Sequence, residues 1–211
     1  MKTVSIKLFR FDELDHEAKL EVIGNRRLSL YDTNADYRFI VDDFKEQFRE
    51  LFYASNIQVE YDITGSQNSG ASLTCDFDIE ALLQSDNWRR LHGGFEAVRH
   101  YLDSGWLSIE GASVNVERWN MGGCERNSCK LTCKQYDVRA SSEVRLEVER
   151  IEALLTTHIR SMCAKIYREL NTYRDHMSSQ EYLTQALTDD EVTHYTASGH
   201  EIPQHILQDI V

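Results

Sequence analysis

The sequence predicts an α+β fold: an antiparallel sheet of roughly four to six strands packed with N-terminal helices and one long C-terminal helix. Three observations predict it. "IQVEYDI" and "ASLTCDFDI" alternate polar and apolar residues with period two, and "WLSIEGASVNVERWN" and "SCKLTCKQYDV" read as two further strands. Phe39, Ile40, Phe44, Phe48, Leu51 and Phe52 recur at the three- and four-residue spacings of one helix face. Val144, Val148, Ile151, Leu155, Ile159, Met162, Ile166, Leu170 and Tyr173 keep the same rhythm for longer still. Their spacing predicts a helix of about 30 residues, about 45 Å long.

Taken in order, "TVSIKLFRF" alternates and predicts a strand from about Thr3 to Arg10. Asp12 then reads as a helix N-cap, with Asp15 and Glu17 in the first turn, where negative charge meets the helix dipole. Leu14, Ala18, Val22, Leu28 and Tyr31 are expected to line that helix, which Gly24 weakens. "YDTNAD" breaks the chain before the Phe-rich helix, predicted from about Asp36 to Ser55. After the first two strands, "ALLQSDNWRRLHGGFEAVRHYLDSGW" predicts one or two short helices broken at Gly93 and Gly94. "MGGCERN" joins the next strand pair, and Ser141 or Ser142 caps the long helix. "SSQEYLTQAL" predicts a short helix capped by Ser178 or Ser179, and "THYTASGHEI" a strand, a turn at Ser198-Gly199 and a strand. The expected organisation is a globular domain over residues 1–175 and an acidic C-terminal appendage over 176–211, packed on it.

"YDITGSQNSGASLTCDFDI" has a small, polar middle bracketed by Gly65 and Gly70. A phosphate cradle needs backbone N–H groups converging at a helix N-terminus, and a Walker loop adds Gly-Lys-Ser/Thr. Here no Lys follows and the next segment alternates like a strand, so the loop reads as a hairpin connection.

The formal net charge of −12 argues against a general nucleic-acid or anionic-membrane binder, and permits a basic protein partner. No run of 18 apolar residues marks a membrane span, and "MKTVSIKLFRFDEL" lacks the apolar stretch of a signal peptide. A cytoplasmic location is expected. Five cysteines, an odd count, then read as reduced thiols. Cys124, Cys129 and Cys133 are close in sequence, but Cys129 and Cys133 share a strand face with thiols about 13 Å apart, too far for one ion. No metal or cofactor is expected. Of the three, Cys124 is the one placed for reactivity. The eight histidines form no HxxxH or HExxH pattern, and no catalytic residue is assigned.

Acidic residues gather at both ends. From Asp175 to Val211 there are seven acidic residues and no Lys or Arg; from Asp32 to Asp62 there are eight against three basic ones. Arg139 to Arg174 reverses the balance, with seven basic against five acidic. A solvated surface paired internally accounts for this pattern. So does a surface that meets a basic groove on another protein. On the second account the candidate partner-binding residues are Asp36, Asp42, Asp43, Glu46 and Glu50 of the Phe-rich helix, and Asp189, Asp190 and Glu191 of the appendage.

"FRFDELDHEAKLEVI" resembles the opening of a group of small phage and prophage proteins of unassigned function, which begin with a strand and a phrase like "FDELSEEAKEKAI". Residues Ser66 to Leu73 are similar to that group's hairpin phrase "SQGDGASF", with Asn68-Ser69 in place of Gly-Asp. Tyr167-Arg168-Glu169-Leu170, Tyr182-Leu183 and Tyr195 to Gly199 match its C-terminal phrases in order. The resemblance implies a phage-encoded cytosolic accessory protein and supplies no catalytic residue. By analogy with small acidic phage proteins, the expected function is non-enzymatic inhibition of a host antiviral nuclease or CRISPR effector through acidic, nucleic-acid-like surface. An antitoxin or regulatory partner that dimerises or binds through the long helix is the first alternative. A small-molecule sponge or cryptic enzyme built on the 65–70 loop is the second.

If that loop is only a connection, replacing Gln67 and Asn68 with Ala should leave the thermal midpoint nearly unchanged. A scanning-calorimetry comparison with wild type checks it.

Overall fold

A computed structural model describes residues 7–32, 37–63, 69–117, 126–135 and 142–203. Two compact units emerge: Met1–Asp36 with Thr172–Val211, and Tyr37–Asn171. The first unit joins the two ends of the chain, and the second is the stretch between them.

The first unit begins with a 3-10 turn at Phe11–Glu13 and helix α1 at His16–Asp32. Asp12, expected as the cap, lies inside the turn; Asp15 caps instead, its Oδ1 accepting from the Ala18 N–H at 2.8 Å. Glu13 Oε2 accepts from the Arg10 N–H at 2.8 Å, so both starts are closed by carboxylates. Phe11, Leu14, Ala18, Val22 and Ile23 pack with Leu183 and Leu187 of α7 (Gln180–Asp189) and with Tyr195. Leu28, expected on this face, is 65% exposed, because the buried stripe runs through Ile23 instead. Ser179 caps α7, accepting from the Tyr182 N–H.

Strands β5 (His194–Tyr195) and β6 (Glu201–Ile202) form the C-terminal hairpin. Its turn places Gly199 at φ +82°, where a Cβ would stand 2.8 Å from the Ala18 carbonyl oxygen. Only glycine lets the turn sit that close to α1. Of the predicted N-terminal strand, residues 3–6 lie outside the described residues; Phe9 exchanges two backbone hydrogen bonds with Tyr195, at 3.0 and 2.9 Å.

The second unit contains α2 (Arg38–Phe52), β1 (Ala54–Asp62), β2 (Gly70–Phe77), α3 (Ile79–Gln84), α4 (Asp86–His92), α5 (Glu96–Asp103), β3 (Leu107–Glu117) and β4 (Arg126–Gln135). It also holds most of α6 (Ser142–Met177). β1 pairs antiparallel with β2, and β3 with β4. The 65–70 segment therefore joins two paired strands, as expected; residues 64–68 themselves lie outside the described residues, as do the β3–β4 connection with Cys124, and Ser141. The single predicted helical region after β2 is three short helices. Gly93-Gly94 makes the expected break, and Ser85 a second one by ending α3 and capping α4 through the Trp88 N–H.

The expected sheet of roughly four to six strands is instead three separate two-stranded antiparallel ladders among the described residues. β2 runs beside β3, but irregularities interrupt β1 between Ser55 and Gln58 and β3 between Ile109 and Gly111. The outer edge of β4 is closed by a helix. The Cys129 N–H donates to Thr156 Oγ1 at 2.9 Å and the Leu131 N–H to Glu152 Oε1 at 2.8 Å. Those donors cannot template another strand.

α6 is 36 residues long, more than predicted, or about 54 Å. Val144, Ile151, Leu155, Ile159, Cys163, Ile166 and Leu170 are its buried stripe. Met162, expected in that stripe, is half-buried on its flank, and Cys163 takes the core position at the same rhythm. In α2 the stripe is Val41, Phe44, Phe48 and Phe52. Phe39 and Leu51, expected inside, are 56% and 57% exposed.

Ile159 is 1% exposed, so Ile159→Asp places an uncompensated carboxylate in the core. The expected cost is several kcal/mol, enough to unfold a domain of ordinary stability. Loss of a cooperative urea transition is the readout.

Candidate functional site

At 100° per residue, the turn of α2 that buries Val41, Phe44, Phe48 and Phe52 points Asp42, Asp43, Glu46 and Glu50 the other way. All four are exposed. Phe39 falls within about 60° of each of them, in the middle of the carboxylates. The face is therefore an exposed aromatic ring surrounded by acid, where a fully acidic surface was expected.

Three of the carboxylates have neighbours on their own helix. Asp42 stands 3.7 Å from Lys45 Nζ, Asp43 accepts from Gln47 Nε2 at 2.7 Å, and Glu46 pairs with Arg49. Such exposed pairs contribute only about 0.2–1 kcal/mol each, so another cation can displace them at little cost. Asp36 lies outside the described residues.

The C-terminal acids belong to the first unit, and α2 to the second. Asp189 and Glu191 are exposed, and Asp189 accepts from Gln185 Nε2. Asp190 is half-buried and tied into the local backbone. Its Oδ2 accepts from Thr193 Oγ1 at 2.7 Å, and its Oδ1 from the Val192 and Thr193 N–H groups at 2.9 and 3.1 Å. Those bonds, the Thr193 hydroxyl first, hold its carboxyl below the ordinary range. Asp190 thus builds the turn between α7 and β5. The turn borders a pocket of about 190 Å³ that Arg26, Ser29, Tyr195 and Glu201 also line. Burial raises the Tyr195 phenol, with nearby Glu201 and Asp190 adding to it.

Cys75, Cys129, Cys133 and Cys163 are unbridged. Burial pushes the Cys75 and Cys129 thiols up to about 12, and raises Cys133 as well. No group of three metal-ligating side chains forms among the described residues.

The second unit also holds a cluster with no signal in the sequence. His92 of α4 and His158 of α6 are 66 positions apart and meet with their Nε2 atoms at 2.9 Å. The Trp88 ring centroid lies 4.3 Å from that of His92, and Phe52 stands 5.5 Å from His158. Arg150 Nη2 donates to the His92 carbonyl at 2.8 Å and its guanidinium lies over the Phe95 ring. Trp88 is 4% exposed and its Nε1 donor has no hydrogen-bond partner. Histidine spacing could not reveal the pair, because its partners come from helices that only tertiary packing brings together.

Comparison with protein-family models, with curated proteins and with solved structures finds no match to the chain.

A thiol held near 12 is almost wholly protonated at pH 8 and a poor nucleophile. In the native protein, a disulfide-exchange thiol reagent at pH 8 should leave Cys75 and Cys129 unlabelled. In urea both should label, with peptide mass spectrometry locating the adduct.

Proposed function

We propose that this is a non-enzymatic binding protein that docks the outer face of α2 on a basic groove of a partner protein. The observation that carries this reading is Phe39, 56% exposed amid Asp42, Asp43, Glu46 and Glu50. An exposed aromatic ring supplies the desolvated anchor of a binding hot spot. The carboxylates around it supply steering and register. Asp42 to Glu50 span about 12 Å along the helix axis, and phosphates along a nucleic-acid strand also recur every several ångströms. A channel lined with Arg and Lys can therefore accept either.

The resemblance to small phage proteins supports the finer form of the proposal. In that form the protein is a phage-encoded inhibitor in the infected cell's cytoplasm, and its partner is a host antiviral nuclease or CRISPR effector subunit. The net charge of −12 supports it too, through long-range attraction to a basic partner. The competing interface along α6 has less to offer. Its apolar stripe is already buried in the chain's own core, which leaves Leu146 as the large exposed apolar side chain on that helix.

The test uses the partner captured from phage-infected host cells on the immobilised protein. Asp42→Lys, Asp43→Lys and Glu46→Lys together should slow association about tenfold or more at low salt, with little change in dissociation. Phe39→Ala should do the reverse and speed dissociation. Neither variant touches the core, so both should melt near wild type. Unchanged rates for the triple reversal, measured by surface plasmon resonance, would place binding elsewhere.

A further inference from the structure

We propose that His92 and His158 form an acid-sensitive latch that holds the C-terminal end of α4 against α6 and releases it when both rings have become imidazolium.

Two Nε2 atoms at 2.9 Å accommodate one hydrogen between them. In the neutral pair one ring donates and the other accepts. Adding one proton leaves that bond in place. A second proton sets two N–H groups against each other, and the contact changes from a bond to a repulsion between like charges. The contact therefore exists only while the pair holds fewer than two extra protons.

The surroundings resist that second proton. α2 presents Phe52, an uncharged ring, and α4 presents Trp88. The charge bearing on His92 is Arg150 of α6, and the one bearing on His158 is His92 itself. Of the carboxylates on α4 and α6, Asp86 faces Arg89 at 3.8 Å, and Glu147 accepts from the Val98 N–H at 2.8 Å. Burial first, and these charges second, lower both histidines below their ordinary 6.5. The closed form therefore binds protons less readily than the open one. Its advantage is complete above pH 6.5 and shrinks as the pH falls below that value.

The local chain is built to let go. His92 is the last residue of α4, and Gly93 (φ +78°) and Gly94 follow it before α5 begins at Glu96. Trp88 buries an indole N–H without a partner, so opening returns that donor to water. Both features lower the cost of opening once the His–His bond is gone. Metal binding is the less suitable use of this pair. Among the described residues two nitrogens converge, beside a guanidinium, where a metal site wants three or four ligands.

The experiment is a pH titration of the intact protein from about pH 8 to about pH 5, following the imidazole resonances by NMR and the amides of residues 88–93 by hydrogen exchange. The expected result is two linked titrations below the ordinary histidine value. Amide protection at the end of α4 should fall with them, about tenfold for each pKa unit of depression. His158→Gln keeps a hydrogen-bonding side chain without a second charge and should flatten the pH dependence; His92→Gln should do the same if the first variant fails to fold. Independent titration of both rings at the ordinary value would overturn the proposal. So would full protection of α4 after both rings have titrated, or an unchanged pH dependence in a folded glutamine variant.

Discussion

The second unit depends on one helix that closes backbone groups its neighbours leave open. α6 presents its apolar stripe, Val144 to Leu170, to the core, and uses the side chains on either flank of that stripe as hydrogen-bond partners. On one flank Glu152 and Thr156 take the outward N–H groups of β4. On the other, Glu147 caps the N-terminal end of α5 at Val98, and Arg150 takes the last carbonyl of α4. Phe95, at the start of α5, offers no side-chain cap of its own. A backbone donor left unpaired in the interior costs about 1–3 kcal/mol, comparable to what burying one large aliphatic side chain contributes. The flanks therefore matter as much as the stripe. They also bear on the small sheets, since the Cys129 and Leu131 N–H groups of the β4 edge are bonded to α6 and are not offered to a further strand.

The first unit is held by a different device, the meeting of chain segments far apart in sequence. Phe9 bonds Tyr195 through the backbone, and Leu14, Ala18 and Val22 pack on Leu183 and Leu187. Gly199 makes the approach tight, because its missing side chain admits the Ala18 carbonyl. Asp190 belongs to the same construction. A carboxylate that accepts three local hydrogen bonds is committed to its turn and has little capacity left for a partner.

Charge on this protein divides by what lies beneath it. On α2 the Phe stripe holds the helix from below, so the carboxylates above are free of structural duty and carry only weak pairs with Lys45, Gln47 and Arg49. On α6 the same residue types, Glu147, Arg150 and Glu152, are built into the fold. A surface that can exchange its ion pairs suits binding, whereas a polar group that caps a helix or seals a strand edge cannot be diverted without loss of structure.

The sequence by itself determined the elements whose signal is local. The rhythm from Val144 to Tyr173 specified α6, period-two alternation specified β1 to β4, and Gly93-Gly94 and Ser198-Gly199 marked breaks that only permissive backbone fills. It also determined that Asp42, Asp43, Glu46 and Glu50 face solvent, since helical geometry places them opposite Phe44 and Phe48. Phe39 stays outside for the same local reason, since nine residues along a helix place it opposite Phe48. Tertiary structure alone decided which of two adjacent residues enters the core, as with Cys163 over Met162. It decided that the strands stay in pairs, because a strand edge is open or closed according to what packs beside it. And it brought His92 to His158, a contact that no spacing encodes, because it is made by the packing of α4 on α6 across 66 residues of chain.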